Sequence, residues 1–250
     1  MKIEFTNKTV LLTGGTRGIG AAIADAFHTA GAKLILTGTR ADQTEELNRQ
    51  NAEAGVTDIE YWPVDFTDKA SLESFLARLD EQDRIDVCIN SAGINPLNPI
   101  ESIETADLDA TYAVNLRAPF LICRSVSKLM KRANYGRIVN IASIWSVITK
   151  PHRSVYTATK AGLSGMTQTL AAELAADNIL VNAVSPGFVL TELTAKNLTA
   201  EQRQSLAAQV PIQRFAKPEE LASTVLFLSS DLNTYLTGQN IVVDGGFTNV

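Results

Sequence analysis

The chain has 250 residues, 45% of them hydrophobic and 20% charged, with a net charge of −5 and a pI of about 5.2. This composition suits one sizeable α/β domain, and its acidic balance argues against a surface built for nucleic acid or anionic lipid. Cys88 and Cys123 make no metal spacing and no disulfide framework, which predicts two reduced, buried thiols and no metal site. The start "MKIEFTNKTVLLTGG" has no signal-length apolar run, and no window reaches the ~18 apolar residues of a membrane span, so the expected location is cytoplasmic.

Short apolar runs alternate with amphipathic ones along the chain. The first run, "TVLLT" (9–13), leads into "TGGTRGIG" and a helical pattern over 18–30. Gly14, Gly18 and Gly20 have a G-x-x-x-G-x-G spacing between a strand and a helix. Glycines there let backbone N–H groups approach a phosphate, and the helix start adds its positive dipole end. Thr16, Arg17 and Ile19 complete the candidate cradle. The second run, "KLILT" (33–37), ends at Gly38, Thr39 and Arg40. A dinucleotide fold that prefers NAD usually has an acid there for the ribose 2′-hydroxyl. Gly38 supplies none, and Arg17 and Arg40 add two guanidinium groups, which favours NADP.

A helix is predicted over 41–54, then a strand "IEYWPV" (59–64) followed by Asp65 and Phe66. Asp65 can accept from an adenine amino group or cap the next helix, predicted over 68–81. The strand "IDVCIN" (85–90) ends in "NSAG", where Asn90, Ala92 and Gly93 let backbone lie close to a cofactor. A long helix over 105–133 carries Asn115 among apolar neighbours, a pattern that marks a bend or a bound water. The strand "RIVNIA" (137–142) ends at Ser143, and a helix over 156–176 opens with Tyr156 and Lys160, four residues apart on one face. Then come the strand "ILVNAVS" (179–185), a segment 186–220 without strand signal, a helix over 218–229 and the strand "NIVVD" (240–244). Segment 186–220 follows a strand end, where ligands bind in this architecture, and is expected to act as a substrate lid. The strand runs are apolar with little alternation, as in parallel strands buried on both faces. The expected fold is α/β: one domain, 1–250, with a Rossmann-type doubly wound parallel sheet of about seven strands and helices on both faces.

"TGGTRGIG", "NSAG", Asn115, Ser143, "YTATK" and "SPG" (185–187), in this order and spacing, resemble the short-chain dehydrogenase/reductase family over essentially the whole chain. One departure is Ser91, where that family usually has a second Asn. The resemblance implies that Tyr156 is the general acid/base and that Lys160 lowers its pKa and holds the nicotinamide ribose. It implies that Ser143 hydrogen-bonds the substrate oxygen and that Asn115 holds a water in a proton relay. Thr191, with the backbone of Val189 beyond Pro186 and Gly187, is implied to bond the nicotinamide carboxamide.

The substrate pocket is expected from Ile94, Asn95, Trp145, His152, Arg153 and Phe188. "KPHR" (150–153) is either a receptor for an anionic substrate, such as a sugar acid or keto acid, or an exposed basic loop. The overall resemblance is to bacterial 3-oxoacyl-(acyl-carrier-protein) reductases, which dock an acidic carrier on basic residues. The matching positions here are the uncharged Asn134 and the acidic Asp177, with Lys131, Arg132 and Arg137 nearby. The resulting expectation is an NADP(H)-preferring oxidoreductase of a small carbonyl or secondary alcohol, with acyl carrier protein as a conceivable partner. An NAD-dependent sugar or polyol dehydrogenase and a non-catalytic dinucleotide-binding regulator are the alternatives. Apolar residues on more than one face of helices 105–133 and 156–176 add the expectation of a homotetramer.

Overall fold

The computed structural model describes residues 2–250. Seven parallel strands form one sheet in the order β3-β2-β1-β4-β5-β6-β7. They are β1 (Thr9–Thr13), β2 (Lys33–Gly38), β3 (Ile59–Pro63), β4 (Val87–Asn90), β5 (Gly136–Ile141), β6 (Ile179–Pro186) and β7 (Asn240–Val243). The order reverses between β1 and β4, so their C-terminal ends part and open a crevice. Register is continuous there: Leu11 pairs with Ile35 on one side and Cys88 on the other.

Strand alternation divides the core into two layers. Val10, Leu12, Leu34, Leu36, Ile89 and Val139 face α1 (Gly18–Thr29) and a C-terminal helix, Pro218–Ser229. α2 (Ala41–Glu53) lies on the α1 side, where its Leu47 lines a cavity with Ala24, Leu34 and Leu36, whereas Leu11, Ile35, Cys88, Ile138 and Val181 face the opposite layer of α3 (Lys69–Asp80) and the two long central helices. Each fully buried Leu or Ile contributes about 1.5–3 kcal/mol relative to an exposed one, which is why these runs carry almost no polar residues.

The predicted helix 105–133 is interrupted. It consists of α4 (Thr105–Tyr112), a π-helical turn (Ala113–Arg117) and α5 (Ala118–Ala133). Asn115 lies in the wide turn. Such turns insert an extra residue and redirect side chains, and they recur at functional positions. The next helix, α6, runs from Ser154 to Leu174, two residues earlier than its apolar pattern predicts, because Arg153 and Ser154 open it.

Segment 186–220 has structure that its sequence does not announce. It holds α7 (Glu192–Asn197) and α8 (Ala200–Ala207), the second closed by reciprocal bonds between Thr199 and Gln202. Its two ends are stitched by a parallel bridge between Val189 and Ala216 before α9 (Pro218–Ser229) begins. No described helix is long and apolar enough to cross a membrane, and no cluster of metal-ligating side chains occurs among the described residues.

Candidate active site

The glycine loop after β1 is shaped for close approach. Gly14 and Gly18 have φ of +70° and +57°, which a side chain would strain. A Cβ on Gly20 would fall 2.0 Å from the carbonyl oxygen of Gly14, so no other residue lets α1 start this close to the strand. Two threonines hold the loop. Thr37 accepts from Gly14 N at 3.1 Å through its hydroxyl, and its carbonyl accepts from Gly15 N. Thr13 accepts from the amides of both Ser91 and Ala92, at 3.0 and 3.1 Å. Thr13 thereby ties "NSAG" to the end of β1. Sequence reasoning missed both, because a threonine at a strand end looks like ordinary β-propensity. The cradle, with its open backbone and its helix start, fits a dinucleotide pyrophosphate.

The neighbouring strand ends are more mixed. Gly38 is buried, and a Cβ there would meet the methyls of Thr16 at 2.9 Å and Thr44 at 3.0 Å. Packing as well as charge therefore keeps an acid from this position. Arg17 and Arg40 are exposed, and Arg40 lies 3.9 Å from Asp42. The Asp65 carboxylate accepts from both the amide and the hydroxyl of Thr67, which hold it below its ordinary value, and Asp68 is the residue that caps α3. Phe66 packs edge-on to Phe75 in the core, so its side chain does not line the crevice. The Asn90 side chain likewise turns into the core, donating to Asn140 and to Cys123 Sγ. Any cofactor contact from these two positions is through backbone.

The four candidate catalytic residues converge. Ser143 caps a short 3₁₀ turn after β5, accepting from Trp145 N. That turn is fixed by Ser146, which bonds to Ser185 and Asn240 at the ends of β6 and β7. Tyr156 is half-buried at the start of α6. Burial pushes its phenol up from the ordinary value, while a hydrogen bond with Ser143 and the charge of Arg153 pull it down. Lys160 is 3% exposed and its ammonium is pushed down to about 8 by burial. The ammonium donates to Ile141 O at 2.7 Å and stands 5.7 Å from the Tyr156 ring centroid. Ser143 and Arg153 thus pull the phenol down, beside the Lys160 to which the resemblance gives this role.

Asn115 is fully buried. Its side-chain oxygen accepts from Ile94 N at 2.9 Å, and its amide donates to Ile94 O and to Thr159 Oγ1. These bonds engage both ends of the side-chain amide. They also clamp the backbone just after Gly93. A Cβ on Gly93 would lie 3.4 Å from Asn115 Oδ1 and 3.5 Å from Lys160 Nζ.

The loop after β6 closes over the cradle. Thr191 caps α7, and its methyl is the nearest neighbour of a Cβ built on Gly18, at 3.5 Å. Gly187 is required by close packing, since its Cβ would be 2.7 Å from Asp244 Cα. Of the expected pocket residues, Phe188 lies stacked with Phe215 and edge-on to Phe247, while Ile94 and Asn95 are exposed. Trp145 is buried beneath the Arg153 guanidinium, 4.6 Å from its ring centroid, and His152 is exposed with φ +68°.

The chain is similar to known proteins over almost its whole length. The model of the family described as Enoyl-(Acyl carrier protein) reductase matches residues 14–248. The 3-oxoacyl-(acyl-carrier-protein) reductase FabG of Aquifex aeolicus is 39% identical over 251 residues, covering 98% of this chain and 99% of that protein. D-threitol dehydrogenase of Mycolicibacterium smegmatis is 38% identical over 247 residues, covering 96% and 93%. Among solved structures, a gluconate 5-dehydrogenase from Burkholderia cenocepacia in complex with NADP and tartrate superposes with a TM-score of 0.91 at 27% identity, over 100% of this chain and 98% of that one. With the cradle, the crevice and a serine–tyrosine–lysine cluster on one sheet edge, the chain belongs to the short-chain dehydrogenase/reductase family, whose members are nicotinamide-dependent oxidoreductases.

Proposed function

We propose that the protein is an NADP(H)-preferring oxidoreductase that interconverts a carbonyl and a secondary alcohol on a small substrate, with Tyr156 as the acid/base. The observation that carries this reading is the meeting of Asn115, Lys160 and the Gly93 backbone beside Tyr156 and Ser143. The residues to hold the cofactor are the Gly14–Gly20 loop, the strand ends at Gly38 and Asp65, the "NSAG" backbone, Lys160, and the stretch from Pro186 to Thr191. When bound, the nicotinamide supplies or accepts the hydride.

The protein's own contribution is orientation and proton handling. In the reductive direction the Tyr156 phenol gives its proton to the carbonyl oxygen, and the Ser143 hydroxyl donates to that same oxygen as negative charge develops. Lys160 holds a positive charge beneath the phenol without contacting the substrate. Asn115 is a positioning residue: it fixes the backbone that forms the opposite wall. The lid, 186–220, excludes water when it covers the crevice. Substituting Phe for Tyr156 removes the acid and keeps the ring. It is expected to lower kcat by about 10²–10⁴-fold while leaving NADPH affinity intact. Activity within tenfold of wild type would overturn the role of Tyr156, and NADPH binding without turnover in the wild type would favour a non-catalytic regulator.

Two substrate lines stand behind this reading, a 3-oxoacyl thioester as in the FabG relatives and a sugar or keto acid as in the gluconate 5-dehydrogenase. The charge inventory disfavours docking of an acidic carrier protein. Lys131 is paired with Asp177 at 2.9 Å, and Arg137 is 4% exposed and donates to the carbonyls of Gly136, Asn178 and Asn233. Of the three basic residues near the carrier positions, Arg132 alone remains free at the surface. We also propose a homotetramer, on the apolar outer faces of α4, α5 and α6.

A further inference from the structure

Arg153 is a cation without an anion. Even exposed arginines of this chain are paired: Arg49 with Glu46 and Glu53, Arg78 with Glu60, Arg84 with Asp86 and Arg214 with Glu220. Arg137 is buried on three backbone carbonyls. Arg153 is half-buried, yet its guanidinium makes no hydrogen bond or ion pair with any described residue. Its guanidinium is stacked on Trp145, and burial pushes its pKa down while Tyr156 pushes it up. A partly desolvated charge left unpaired costs free energy. The planar group uses one face on the indole and leaves its edge of N–H donors unspent, in the geometry that grips a carboxylate with two parallel bonds.

The position is built. Trp145 is 6% exposed and belongs to the 3₁₀ turn that starts at Ser143 and is pinned through Ser146 to Ser185 and Asn240. On the other side, Arg153 immediately precedes α6, three residues before Tyr156, and His152 reverses the chain in the left-handed region to bring it there. The cation is therefore seated on the turn that begins at Ser143 and at the start of the helix that carries Tyr156. We propose that Arg153 is the receptor for a carboxylate on the substrate, so that the molecule turned over at Tyr156 is a small oxo acid or hydroxy acid. This rests on the oxidoreductase reading above and chooses between its substrate lines. A neutral polyol or a thioester has no group that calls for this cation. The carboxylate takes no part in bond making; the two-electron exchange is confined to the carbinol carbon.

The test compares four- to six-carbon oxo acids with their methyl esters, using NADPH, in wild type and in Arg153→Gln and Arg153→Lys. Wild type is expected to favour the acid. Arg153→Gln is expected to cut the acid-to-ester ratio of kcat/KM by about 10- to 100-fold, mostly through the KM of the acid, the loss that follows from a charge-assisted hydrogen bond. Arg153→Lys restores part of it. Binding without turnover is read separately, as the rise in Tm given by tartrate but not by erythritol, and this rise is lost in Arg153→Gln. Three results would overturn the proposal: a wild type that prefers the ester, an unchanged acid-to-ester ratio in Arg153→Gln, or a tartrate effect that survives the substitution. If acid and ester fall together and the alkaline limb of the pH profile moves, Arg153 acts on the Tyr156 proton instead. If neither substrate class is turned over, the oxidoreductase reading fails, and the tartrate measurement still decides the role of Arg153.

Discussion

The Lys160 ammonium donates to Ile141 O at 2.7 Å, at the last residue of β5 and two residues before Ser143. One bond therefore couples the buried charge on α6 to the strand end that carries the serine. Burial holds this ammonium near about 8, well below its ordinary value. Carbonyl reduction needs the Tyr156 proton and the Lys160 charge, so kcat/KM for reduction should be level at neutral pH and fall as pH rises through about 8. A Lys160→Met variant should lose the limb, and a limb that persists in that variant would assign it to another group.

The same shift has a stability consequence whose sign is fixed. The folded pKa of about 8 lies below the ordinary 10.5, so between them the unfolded chain binds more protons than the folded one. Stability from this group therefore rises with pH through that window. Lys160→Met removes a buried charge and should be favoured most at neutral pH. The difference in urea midpoint between variant and wild type should shift toward the wild type from about pH 7 to about pH 10. A constant difference would mean that the ammonium is not desolvated in solution.

Thr13 makes a separate prediction. Thr13→Val keeps the shape and removes the acceptor for Ser91 N and Ala92 N. Leaving such amides unpaired should cost about 1–3 kcal/mol in stability and weaken NADPH binding, because "NSAG" loses its anchor to β1. Thr13→Ser should retain most of both. Denaturant midpoints and cofactor titrations measure the two effects.

The sheet and the glycine loop were legible in the sequence because both are local. Seven apolar runs mark seven strands, and Gly14, Gly18 and Gly20 announce a loop that backbone geometry demands. The Tyr156–Lys160 spacing placed both residues on one helical face, but not the destination of the lysine, which is a carbonyl nineteen residues back in the chain. The π turn at Ala113–Arg117 was hidden because one extra residue hardly disturbs an apolar pattern. Asn115 was legible as special, but its clamp on Ile94 depends on two segments meeting across the crevice. The helices of 186–220 are short and mostly polar, and the Val189–Ala216 bridge joins residues too far apart for periodicity to register.

Assembly can be tested on an apolar stripe. Leu108, Tyr112 and Phe120 are 36%, 41% and 54% exposed, and they follow one another along the outer face of α4 and α5. Beside them, α6 exposes the small residues Ala158, Ala161 and Gly165, and a Cβ on Gly165 would meet nothing. Large side chains next to small ones let helices of two copies interdigitate, and a stable contact needs about 800 Å² from each partner. Light scattering at micromolar concentration is expected to give the mass of four chains. Phe120→Lys should split that species while preserving the far-UV spectrum. A monomeric wild type would refute the assembly.

Cofactor choice is the narrowest prediction, and the packing around Gly38 changes how it must be tested. An aspartate there would offer an acceptor to a 2′-hydroxyl and repel a 2′-phosphate, but its Cβ would also press on the methyls of Thr16 and Thr44. Gly38→Ala carries the steric effect alone, so the contrast between Gly38→Asp and Gly38→Ala isolates the charge. Wild type and Gly38→Ala should both favour NADPH in kcat/KM, while Gly38→Asp should favour NADH. Arg17 and Arg40 are exposed, and Arg40 has the distant Asp42 as its partner, so both are free to turn toward a phosphate. Each charge-assisted bond to that phosphate contributes about 1.5–3 kcal/mol when well placed, so Arg40→Ala should raise the NADPH KM by roughly tenfold or more with little change for NADH. Equal use of NADH and NADPH by the wild type would mean that both guanidinium groups stay in water. The exposed hydroxyl of Thr39 would then be the ribose partner, since Thr37 is buried and holds Gly14 N.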